Sequence, residues 1–203
     1  MRTKIKKWRL VLILGVLLGV VIMPVIAENK PVNQKEYTFR KTTWGMSKEQ
    51  VEKTETKEIA YEEEGILGYE GSILDFDCKI VYVFAEGKRV KTRYIITEKH
   101  SNRNEYIKDY YTLKTILSKK YGEPLELEEV WLKDLYKDDP EDWGLAISIG
   151  QLFYMAEWKT LETSIILSLD GDNYEIMLAI QYRSKELGEL EEKEKERRAL
   201  EDL

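Results

Sequence analysis

The rhythm of apolar and polar positions changes several times along this chain. Leu10 to Ala27 runs without a charge. Residues 28–36 are polar and contain Pro31, the composition of a tether. Tyr37–Thr43 reads as a short strand. Ser47 stands three residues before Gln50, the spacing of a capping box, which predicts a short helix over 47–54 burying Val51 and Met46.

Past residue 58 the period drops to two. Leu74, Phe76, Cys78, Ile80, Tyr82 and Phe84 recur at every second position, as in a strand with one buried face, and so do Val90, Thr92, Tyr94 and Ile96. With Ala85–Lys88 as the turn, these runs predict a hairpin whose charged residues, Lys91 and Arg93 among them, face outward. An earlier strand is expected at 66–72. The period then returns to that of a helix. Asn102 is the expected cap, Tyr106, Tyr110, Leu113 and Leu117 form a stripe, and Gly122 with Pro124 ends the helix, giving bounds of 102–121.

Leu125–Leu132 reads as an edge strand, and 137–142 as an acidic turn. Four strand patterns follow: Leu145–Ile149, Leu152–Trp158, Ile165–Leu169 and Tyr174–Tyr182. Gly150-Gln151 and Asp170–Asn173 are compact connections and imply antiparallel neighbours. Ser184 is placed to cap a last helix. Beyond Leu187 and Leu190 that helix is almost wholly charged and reads as a solvated helix or frayed tail, with Glu191–Lys195 and Glu194–Arg198 at supporting i,i+4 spacing. The fold class is α+β: an antiparallel, curved sheet packed by one long and one short helix. Residues 37–186 are the domain and 187–203 a charged C-terminal helix or tail.

Charge alters the picture at the N-terminus. Arg2, Lys4, Lys6, Lys7 and Arg9 precede the apolar run, and Val25 and Ala27 occupy the −3 and −1 positions of a cleavage site. Residues 1–27 therefore read as a secretory signal peptide. The alternative is a retained membrane anchor, because 18 apolar residues come close to spanning a bilayer core. Either way the remainder is exported: extracellular, periplasmic or on the outer face of the membrane. Without the leader the chain has 27 basic and 38 acidic residues, a net charge of −11. That balance argues against nucleic acid as a partner.

Candidate chemistry is sparse. Cys78 is the one cysteine and His100 the one histidine, so neither an internal disulfide nor a Cys/His zinc site can form. Cys78 reads as a buried apolar side chain, and His100 as a loop or cap residue. Asp170-Gly171-Asp172-Asn173 has the look of a calcium loop but stands between strands and reads as a hairpin turn. No glycine-rich phosphate loop or serine nucleophile motif occurs. No metal and no cofactor is called for.

Trp44-Gly45-Met46-Ser47, with Val51, carries a resemblance. Gly-Met-Ser-x-x-x-Val resembles the helix starts of β-lactamase-inhibitor-protein-like domains and of the small lipoproteins of outer-membrane assembly. With Phe39 added, it is similar to uncharacterised secreted bacterial proteins carrying Phe-x-x-x-x-Trp-Gly-Met-Ser. The resemblance implies helices against an antiparallel sheet and a protein-binding role. It covers about 13 of 203 residues. The chain departs from both groups in lacking their disulfides and lipid-attachment cysteine, and Trp143-Gly144 is at most a degenerate echo of the motif. The function expected is an exported, non-catalytic binding domain for a protein or envelope component, the alternative being a carboxylate- or cation-dependent envelope hydrolase. Tyr154, Trp158, Tyr174 and Tyr182 are the candidate contact residues, with core packing as their competing reading.

Overall fold

A computed structural model of the protein describes residues 38–201, so the expected leader and tether lie outside the described residues. The strands are β1 (Tyr61–Glu63), β2 (Ile66–Ile73), β3 (Phe76–Ala85), β4 (Lys88–Ile96), β5 (Glu126–Trp131), β6 (Leu152–Lys159), β7 (Thr163–Asp172) and β8 (Glu175–Ser184). The helices are α1 (Lys48–Glu52), α2 (Glu105–Tyr121), α3 (Trp143–Ser148) and α4 (Gly188–Glu201). All eight strands pair antiparallel in the order β1-β2-β3-β4-β8-β7-β6-β5. This is an α+β fold in which two four-stranded meanders, each preceded by a helix, meet through their last strands.

The core lies on one face of this sheet. Along β6, Leu152, Tyr154, Ala156 and Trp158 are buried and alternate with half-buried partners, and β7 repeats the rhythm. Tyr110, Leu113 and Leu117 of α2 pack against this face, joined by Val51 of α1 and by Ala146 and Ile147 of α3. α1 starts as its sequence dictates. The Ser47 side chain accepts from the Gln50 N–H while the Gln50 side chain accepts from the Ser47 N–H, and Val51 and Met46 are buried. α2 ends at Gly122, whose φ of 87° is open to glycine without strain.

Several expectations need correction. Over the described part of the strand expected at 37–43 none forms: from Thr38 the chain makes a tight turn closed by a Phe39–Thr42 bridge. Leu74 leaves the alternating run, because Ile73 pairs with Phe76 and Leu74 sits in the turn at φ 55°. Asn102 does not cap α2. Its Oδ1 accepts from the Asn104 N–H at 3.0 Å, and the helix begins at Glu105. The strand expected at Leu145–Ile149 is helical through Ser148, within α3, with Ile149 as its C-cap. The run is too short for its period to separate strand from helix. The deciding contacts are tertiary: the Gly144 N–H donates to Asn104 Oδ1 at 2.6 Å, and a Cβ at Gly144 would collide with the backbone at Arg103. Gly150-Gln151 therefore joins a helix to a strand.

The calcium-like run is part of a hairpin, in line with its strand-flanked position. Asp172 pairs with Glu175, leaving Asn173-Tyr174 as a two-residue turn with both φ positive. Ser184 belongs to β8, and its Oγ accepts from the Leu187 N–H, holding the turn before α4 rather than capping the helix. The side chains of Lys195 and Arg198 lie outside the described residues, so the two i,i+4 pairs are not seen. Lys91 is covered where solvent exposure was expected, and the last segment is a helix, the first of the two readings its sequence allows. Lys91 is buried beneath α4, which lies on β3 and β4.

Candidate functional site

The sheet face opposite the core is where α4 sits. Strand register sets Ile66, Val83, Lys91 and Arg183 in one row across that face, and Gly68, Val81, Arg93 and Gln181 in the next. Lys91 forms a buried ion pair with Glu191 of α4. Arg183 adds a longer contact to Glu191 at 3.7 Å, and its Nη2 donates to Glu192 at 2.8 Å and to the Gly188 carbonyl at 2.9 Å. At the far end Arg197 approaches Glu64 at 3.8 Å. α4 is thus fastened by charge across its length.

Between α4 and the sheet runs a groove of about 290 Å³. Val81, Val83 and Ile95 give it an apolar floor, Tyr61 and Ile66 close one end, and Lys91, Arg93, Glu191 and Glu194 supply its polar positions. Gly68 shapes that end, because a Cβ there would lie only 2.0 Å from the Tyr61 ring. Arg93 is held on this face by donating to Gln181 Oε1 at 2.8 Å. An apolar floor with a few placed polar groups is the usual chemistry of a binding pocket.

The Trp-Gly-Met-Ser motif does a different job. Arg89, fully buried, stacks on Trp44 at 4.0 Å and donates to the Thr43 carbonyl, Thr92 Oγ1 and Thr38 Oγ1 at 3.2, 2.8 and 2.7 Å. The Gly45 N–H donates to the Arg89 carbonyl, and the Arg89 N–H to the Met46 carbonyl, at 3.1 and 2.8 Å. Trp44 Nε1 reaches Thr163 Oγ1 at 2.9 Å. The motif clasps the N-terminal segment onto β4. Arg89 escaped the sequence reading, because a lone arginine at a strand start carries no local signal of burial. Desolvation lowers its guanidinium to about 10.

Three of the four candidate contact aromatics lie inside the core. Tyr154 packs against Tyr110 at 5.4 Å, Trp158 donates to the Gly122 carbonyl at 2.8 Å, and Tyr182 meets Phe39 at 5.0 Å. Burial raises the phenols of Tyr154 and Tyr182 well above their ordinary value. Tyr174 alone is exposed, in the β7–β8 turn. The four do not share a surface, and the core accounts for the three buried ones. Cys78 is buried and its thiol is pushed up to about 11 by desolvation. His100 sits in the loop before α2, with Nε2 2.5 Å from Asp109 Oδ2 and its ring edge-on to Tyr106. Among the described residues no three His, Cys, Asp or Glu side chains converge as a metal site, and no helix is long and apolar enough to cross a membrane. No protein-family model, curated protein or solved structure matches the chain.

Proposed function

We propose that the protein is an exported, non-catalytic binding domain that engages a protein of the cell envelope through the groove beneath α4. The carrying observation is the groove itself: an apolar floor on a sheet face whose cover contributes carboxylates at the contact. A partner inserts an aliphatic side chain onto Val81, Val83 and Ile95. The polar groups at Arg93 and Glu194 orient it. The likeness of Gly45–Val51 to helix starts in exported binding proteins supports the same reading.

A photoreactive residue at Ile66 tests it in the producing cell. The expected result is one envelope adduct that disappears when Val83→Trp fills the floor. An adduct indifferent to Val83→Trp overturns the groove as the site. N-terminal sequencing of the recovered protein tests export. A start at Glu28 indicates a cleaved signal, and a start at Met1 in the membrane fraction a retained anchor.

A further inference from the structure

The far edge of the sheet carries a second surface, independent of the groove. β5 lies outermost and pairs only with β6. The Leu132 N–H donates to the Gln151 carbonyl at 2.8 Å, which sets the parity of the ladder. Val130, Glu128 and Glu126 then exchange hydrogen bonds with β6, opposite Phe153, Met155 and Glu157. The N–H and C=O groups of Leu127, Glu129 and Trp131 point away from the sheet. No other described backbone segment pairs with them.

Edges are ordinarily blunted by lysine, proline or burial. β5 has neither lysine nor proline, and its first four residues are exposed. Leucines stand open around it: Leu127 at 56%, Leu125 at 65% and Leu132 at 64% of full exposure. Acid residues alone would read as a guard against pairing. Acid residues beside exposed leucines and an open backbone read as a complementary surface. A second copy of the chain fits poorly, since pairing β5 with itself gathers Glu126, Glu128 and Glu129 from both strands, and like charges across a ladder repel.

We propose that β5 accepts an extended basic segment of another protein as a ninth strand. The segment alternates Lys or Arg with aliphatic residues. Its basic side chains lie on the face of Glu126 and Glu128, and its aliphatic ones lie over Leu127 and beside Trp131. The backbone supplies the pairing and the glutamates select the charge.

The probe is a ten-residue peptide of alternating Lys and Val, compared with its Glu–Val analogue, on the whole exported chain. Titration calorimetry should show binding of the basic peptide that is about tenfold or more stronger than that of the acidic one. Amide exchange should slow at Leu127, Glu129 and Trp131. Glu126→Lys with Glu128→Lys should invert the preference. Glu129→Pro should abolish binding while sparing the ladder, because the lost N–H points outward. Equal binding of both peptides overturns the proposal, as does protection elsewhere, or protection at these three amides that grows with protein concentration alone.

Discussion

α2 and α4 lie on opposite faces of one sheet and are held by opposite means. α2 buries Tyr110, Leu113 and Leu117 in the core and keeps Lys108, Lys119 and Lys120 exposed. α4 has Glu191 buried against Lys91 and its other described charges around it. The apolar contact is non-directional and cannot be exchanged with water without cost. The ionic contact can be, because each charge regains its hydration when the helix lifts. α2 is therefore scaffold, and α4 is a cover whose hold on the groove depends on charge. The groove beneath such a cover can be opened without unfolding the domain.

The sharpest way to break this contrast is to weaken each helix in turn. Leu113→Ala should cost about 2–5 kcal/mol of global stability, read by urea unfolding, because the core cannot collapse around the lost volume. Lys91→Met leaves Glu191 facing an apolar floor. If α4 were held as firmly as α2, that change would cost about 3–5 kcal/mol, as for any stranded buried charge. A releasable cover limits the loss to the docking of α4. Amides in the helix should then exchange faster while the urea midpoint moves little. Lys91→Met combined with Glu191→Met should restore their protection by replacing the pair with an apolar contact.

Smaller effects sharpen the same picture. Ser47→Ala removes the cap of α1, which sits on the core face with α2, and should lower stability by about 1 kcal/mol in the same urea assay. Alkali probes the core face through protons. The unfolded chain loses the Cys78 proton near 9, while the folded chain holds it to about 11. Burial likewise raises Tyr69 to about 12. The folded state binds more protons in this window, so stability falls as pH rises above 9. Cys78→Ala should make the decline of the thermal midpoint between pH 9 and 11 shallower.

The core face was legible in the residues. Period-two alternation found β6, β7 and β8, the Tyr110–Leu117 stripe found α2, and Ser47 with Gln50 found the start of α1. These signals are local: each is carried by the side chains that make it. The candidate site was not legible. Lys91 reads as a solvent-facing strand residue, and Glu191 as one more charge in a polar helix, because a charged side chain gives no sign that its partner lies 100 residues away. The same blindness hid Arg89 behind Trp44, and for Tyr154, Trp158 and Tyr182 it left contact surface and core as two open readings, of which the structure shows the core. α3 was misread because five residues of alternating pattern suit two periods equally, and only Asn104 and Gly144 choose between them. Sequence alone settled the longer strands and α2, since those follow from periodicity sustained over many residues. The tertiary structure decided which face α4 covers and which charges are buried, since that depends on where two distant segments meet.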